Sequence, residues 1–128
     1  KGKEDKMIAL NEDNCLVGKY ENGWFKTESK SFGLFGIGYD TIAPTIVFPS
    51  SKKKSAKVVP KTSVQFKITD NLSGIADYNV YVNDVWQIAE YDAKSKTVTC
   101  YFTEVNPKNL KIEVIDRVGN KAVFSKEL

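Results

Sequence analysis

The chain has 128 residues, is 41% hydrophobic and 12% aromatic, and carries a formal net charge of +3 at pH 7. That apolar content is enough for a packed core in one ordinary domain, or in one small domain plus a fragment, and global disorder is excluded. There is no histidine, so neither a Ser-His-Asp triad nor a His-containing zinc site can be built from these residues alone.

Of the 19 basic residues, 18 are lysine and only Arg117 is arginine. Readers of nucleic acid lean on the bidentate fork of arginine, so a nucleic-acid partner is not expected. No apolar run is long enough to span a membrane. No signal peptide is recognisable, and the start on Lys1-Gly2-Lys3-Glu4-Asp5 reads as the interior of a longer chain.

The first forty residues predict three or four short antiparallel strands. Lys6–Leu10 is the first and Cys15–Tyr20 the second, separated by the polar cluster Asn11-Glu12-Asp13-Asn14. Asn22-Gly23 is a strong hairpin signal, because both residues tolerate positive φ. Trp24–Thr27 resumes an extended run. In Ser31–Tyr39, glycines alternate with bulky residues, which predicts Phe32, Leu34 and Ile37 packed on other surfaces and a close neighbour on the glycine side. These strands are too few to bury a core alone, so they are expected to pack on the longer C-terminal part of the chain. Trp24 and Phe25 are the apolar cover expected at that contact.

Asp40-Thr41-Ile42-Ala43-Pro44 reads as a joint. Pro44 fixes its own φ and drives Ala43 towards extended geometry. Beyond the joint the pattern is cleaner. Thr45–Phe48 is a strand ended by Pro49, and Ser50–Lys57 is a polar loop containing Lys52, Lys53 and Lys54. Such a charge run is ordinarily a solvated face; the alternative is contact with an anionic glycan. Val64, Phe66 and Ile68 alternate with polar residues as in a half-buried strand. Further strands are predicted at Tyr78–Val82, Val85–Tyr91, Thr97–Phe102, Leu110–Val114 and Ala122–Ser125. That makes seven strands after the joint, with turn signals between them. It predicts an all-β fold: a seven-stranded immunoglobulin-like antiparallel sandwich at 45–128, a joint at 40–44, and a short β meander at 1–39 that ends a larger domain. Trp86, in mid-strand, is expected in the core; the alternative is a half-exposed binding platform.

Asp40, Asp70 and Asp116 each stand at a strand end, and in such a sandwich all three fall at one pole. The ordinary reading is that each caps its own turn or braces the joint by accepting backbone N–H groups. The alternative is a Ca²⁺ site, with Asn71 and Asn120 adding carbonyl oxygens. No cofactor is expected on the first reading. Cys15 and Cys100 read as two separate thiols; a disulfide would tie the two parts together, but spacing alone cannot supply its geometry.

Several motifs resemble bacterial Ig-like modules of surface and secreted proteins. They are Asp40-Thr41-x-x-Pro44, Ile68-Thr69-Asp70-Asn71-x-Ser73-Gly74-Ile75 and Asp116-x-x-Gly119-Asn120. With Gly18-x-Tyr20-x-Asn22-Gly23-Trp24, Phe32-Gly33-x-Phe35, Asn83-x-x-Trp86 and Glu90-Tyr91-Asp92, the chain from Gly18 to Phe124 resembles the region after the catalytic domain of lysostaphin-like zinc metallopeptidases. That family holds its zinc with His and Asp of a separate domain, so no catalytic residue carries over. The resemblance implies an extracytoplasmic, non-catalytic accessory region that positions a cell-wall peptidase and contacts other domains of its parent chain, with cell-wall glycan or a surface protein as a further partner. The alternative is a glycan- or cell-wall-binding module that uses Trp24, exposed tyrosines and Lys52, Lys53 and Lys54. A bare strand edge in the meander could also pair with a second copy.

Overall fold

A computed structural model describes residues 2–12, 14–48, 62–103 and 107–127. Among them the chain is all-β apart from one 3-10 turn at Glu4–Lys6. No helix among the described residues is long and apolar enough to cross a membrane.

The N-terminal part holds β1 (Met7–Asn11), β2 (Asn14–Val17), β3 (Lys19–Glu21), β4 (Trp24–Lys26) and β5 (Gly36–Tyr39). β1 is the centre of an antiparallel sheet ordered β2-β1-β5, and β3 and β4 form a separate hairpin. The expected single strand Cys15–Tyr20 is interrupted at Gly18. A Cβ there would collide with the Lys26 carbonyl and come within 2.8 Å of the Phe25 ring, so only glycine lets the hairpin fold back this closely. Asn22 and Gly23 have φ of 52° and 81°, as the two-residue turn demands.

The run from Ser31 departs from expectation. Only Gly36–Tyr39 is strand, and Phe32, Leu34 and Ile37 are exposed rather than packed. Ser31–Phe35 belongs to no sheet, so its alternation has no packed face to point at. The predicted close approach on the glycine side does occur at Gly38, where Leu10 Cδ1 lies 3.2 Å from the position a Cβ would take.

Eight more strands complete the chain: β6 (Thr45–Val47), β7 (Thr62–Thr69), β8 (Ile75–Val82), β9 (Val85–Gln87), β10 (Ala89–Asp92), β11 (Thr97–Phe102), β12 (Asn109–Asp116) and β13 (Lys121–Glu127). They form two four-stranded antiparallel sheets, β10-β11-β7-β6 and β13-β12-β8-β9. The sequence predicts Val85–Tyr91 as one strand. The chain instead breaks at Ile88, so that β9 pairs with β8 in one sheet and β10 with β11 in the other.

The two sheets share one core, as in a β-sandwich. Val64, Phe66 and Ile68 of β7 and Val98, Cys100 and Phe102 of β11 meet Val80 and Val82 of β8 and Leu110, Ile112 and Val114 of β12. Each is the inward residue of a strict two-residue alternation. Burying a side chain of this size is worth about 1.5–3 kcal/mol, so this layer is the main source of stability. Phe48, Phe66 and Phe124 lock one end, with ring centroids 5.4 to 6.1 Å apart, and Tyr78 meets Tyr91 at 5.7 Å.

Candidate functional site

The apolar stripes of β7 and β12 both end on an aspartate. Along β7 the inward positions run Val64, Phe66, Ile68 and then Asp70. Along β12 they run Leu110, Ile112, Val114 and then Asp116. Because side chains alternate with period two, each aspartate takes the place where the next core residue would stand. Asp40 arrives from the joint, four residues before the buried Pro44. One carboxylate oxygen from each of the three lies within 4.8 Å of the others, with Asp40 and Asp116 fully buried and Asp70 half-buried. The shared pole expected from the sequence is thus present.

The carboxylates are held almost entirely by N–H donors. Asp40 Oδ2 accepts from the backbone N–H of Ser73 at 2.9 Å, and its Oδ1 accepts from Ile42 at 3.4 Å. Asp70 Oδ2 accepts from Leu72 at 3.1 Å and Gly74 at 2.8 Å. Asp116 Oδ1 accepts from Val118 at 3.0 Å and Asn120 at 2.8 Å. Asp70 and Asp116 therefore cap their own turns, whereas Asp40 reaches across to another.

Further bonds knit the segments together. The Asn120 side-chain amide donates to Asp116 Oδ2 at 2.7 Å and to the Asp40 carbonyl at 2.8 Å. The Arg117 N–H donates to the Gly74 carbonyl at 3.0 Å. The Asp40 N–H donates to the Lys6 carbonyl at 2.9 Å, which extends the β1–β5 ladder by one step. Lys6 Nζ donates to the Val118 carbonyl at 2.6 Å. The joint is thereby fastened to the N-terminal sheet and to the turns that leave both large sheets.

Two buried polar atoms here have no partner among the described residues, Asp70 Oδ1 and Ser73 Oγ. Among the described residues no lysine or arginine forms an ion pair with the three carboxylates. Their spacing is short enough for one Ca²⁺, at about 2.3–2.6 Å from each oxygen, to touch all three. Only Asp70 Oδ1 is uncommitted, however, and Asn120 presents its N–H rather than its carbonyl oxygen. Asn71 is exposed. As it stands, the arrangement is an acceptor cluster served mainly by backbone donors and by the Asn120 amide.

Both cysteines are free thiols. Cys15, half-buried on β2, has its pKa raised by burial and then by the nearby Asp40 and Asp70 carboxylates, while Arg117 acts in the opposite sense. Burial raises that of Cys100, in the core.

The aromatic expectations need correction. Trp24 is 72% exposed on β4 and Trp86 is 56% exposed on β9, so Trp24 covers no contact between the parts and Trp86 is not in the core. Trp86 faces out because the two-residue turn Asn83-Asp84 pairs it with Tyr81, and Tyr81 lies between the inward Val80 and Val82. Lys52, Lys53 and Lys54 lie outside the described residues. Lys6 and Ser73, unforeseen in the sequence, belong to the pole. The sequence carries no local signal for Lys6, which is 112 residues from Val118. Comparison with the known protein families finds no match, and comparison with curated proteins finds none either.

Proposed function

We propose that this chain is a non-catalytic structural and interaction module of Ig-like type from a secreted or cell-surface bacterial protein, where it positions a cell-wall peptidase carried on the same parent chain. The observation that carries the reading is the fastening of Asp40. A linker that only connects leaves its backbone to water. This one gives its carbonyl to Asn120, its N–H to Lys6 and its carboxylate to Ser73 and Ile42. Each bond to a charged group is worth about 1.5–3 kcal/mol when buried, enough to hold one orientation against thermal motion. Holding one orientation is the property a spacer needs.

The resemblance of the joint and turn motifs to bacterial Ig-like modules supports the extracytoplasmic assignment. The lack of histidine supports the non-catalytic one. The test is backbone ¹⁵N relaxation across residues 40–44 together with incubation of the chain with cell-wall material. Order parameters equal to those of β7 and β12, with no bond cleavage, are expected. A flexible joint removes the spacer reading, and turnover by this chain alone removes the non-catalytic one.

A second reading, a glycan- or cell-wall-binding module, is favoured by the exposure of Trp24 at the tip of the β3–β4 hairpin. Loss of binding to insoluble cell wall on Trp24→Ala, with the fold intact, is its test.

A further inference from the structure

The outer face of the sheet β13-β12-β8-β9 carries a row of side chains, one from each strand. Register sets Trp86 opposite Tyr81, Tyr81 opposite Lys111, and Lys111 opposite Ser125. Strands lie about 4.8 Å apart, so the row runs straight for roughly 14 Å across the sheet. Asn79 and Glu113, two residues along their strands, share this face.

The row is held in place. The Trp86 indole N–H donates to Asn79 Oδ1 at 3.0 Å, which anchors the edge of the ring while 56% of the residue stays exposed. Lys111 Nζ sits 4.5 Å from the centroid of the Tyr81 ring and 3.7 Å from Glu113 Oε1. An aromatic surface fixed in this way loses little entropy when a ligand arrives.

The chemistry selects the kind of ligand. The cores of protein-binding surfaces are depleted in charged residues, whereas here a lysine and a glutamate stand beside the aromatics. Single-stranded nucleic acid calls for a positive groove that tracks its backbone, and here the two lysines of the face, Lys111 and Lys121, converge on one carboxylate, Glu113, at 3.7 and 3.4 Å rather than lining a groove. What remains is a neutral ring with an apolar C–H face to lie on the indole and a rim of hydroxyls to meet amide, ammonium and carboxylate groups. A straight row calls for a straight chain of such rings, which means equatorial linkage.

We infer that the outer face built on Trp86, Tyr81 and Lys111 binds an extended, equatorially linked pyranose polysaccharide, with one ring stacked on Trp86. This surface is separate from Trp24 and does not depend on the spacer role of the pole.

The test is titration of the chain with cellohexaose and with chitohexaose, monitored by ¹H–¹⁵N NMR. The two tryptophan indole N–H resonances report each ring separately. A saturable shift of the Trp86 resonance with at least one of the two sugars is expected. Trp86→Ala should weaken binding at least tenfold and Lys111→Ala severalfold, with unchanged melting temperatures. Absence of any saturable shift at millimolar sugar overturns the proposal. So does binding that survives Trp86→Ala, or an equal response to an oligothymidylate, which would make the row a base-stacking platform. If Trp86→Ala lowers the melting temperature, Trp86→Phe is the second variant: it keeps an aromatic face and should retain most of the affinity, and losing all of it counts against stacking.

Discussion

Asn120 holds Asp40 by its main chain: the amide that caps Asp116 Oδ2 at 2.7 Å also donates to the Asp40 carbonyl at 2.8 Å. One side chain thus ties the last turn of the chain to the joint, 80 residues away. The Asp40 carboxylate is tied separately, to Ser73 on the turn after β7.

If these bonds act as one brace, their losses are not additive. Asp40→Ala leaves the buried N–H of Ser73 without an acceptor and should destabilise the fold by about 2–3 kcal/mol in urea denaturation. Asn120→Ala should cost about 1–3 kcal/mol, because it removes two donors from acceptors on the buried Asp40 and Asp116. The double variant should fall short of the sum by about 0.5–1 kcal/mol. Strict additivity would show two independent turns that happen to be neighbours.

Calcium separates an acceptor cluster from a cation clamp. A ligand that binds only the folded state raises its melting temperature in proportion to the logarithm of concentration above Kd. With nearly every carboxylate oxygen already bonded to N–H groups, no shift is expected at millimolar Ca²⁺. A rise that Asp70→Asn abolishes would transfer the role of these carboxylates to metal binding, through the free Asp70 Oδ1.

Cys15 is a chemical probe of the same pole. Burial and the two nearby aspartates raise its pKa above the usual 9.0, so less thiolate is present at any given pH than in a free cysteine. Alkylation by iodoacetamide at pH 8 should be slower than for a model peptide and should keep climbing beyond pH 9.0, the usual value for a thiol. Asp70→Asn removes one negative neighbour and should speed the reaction at pH 8. Cys100, fully buried in the core, should react only when the protein unfolds. Equal rates at both thiols would mean that the pole does not shelter Cys15.

The fold is legible wherever a strand has one face to bury. Val64, Phe66 and Ile68, and again Leu110, Ile112 and Val114, declare their inward side by alternation alone. The same count, carried one step further, points Asp70 and Asp116 into the core end. Trp86 defies expectation because its size suggests the core while its register decides otherwise. The Asn83-Asp84 turn, with φ of 50° and 63°, fixes the pairing with Tyr81 and so the outward face. The break at Ile88 has no local signal, since Val85–Gln87 and Ala89–Asp92 have equally strand-like sequences and only tertiary pairing sends them to different sheets. Phe32 and Leu34 mislead for the opposite reason: they alternate in a segment that joins no sheet.

An apolar stripe that ends on a carboxylate also acts as a stop. A strand displaced by one residue turns its apolar side to water, but a displacement of two keeps the sides correct and is the error that alternation cannot forbid. In this chain such a slip of β7 or β12 towards the middle of the core would draw Asp70 or Asp116, with the polar turn it caps, in among Phe66, Ile112 and their neighbours. Moving a charge and its polar turn into an apolar layer costs several kcal/mol. The two aspartates set where their strands must halt, and during folding they would oppose the inward even-numbered slips that the hydrophobic pattern leaves open.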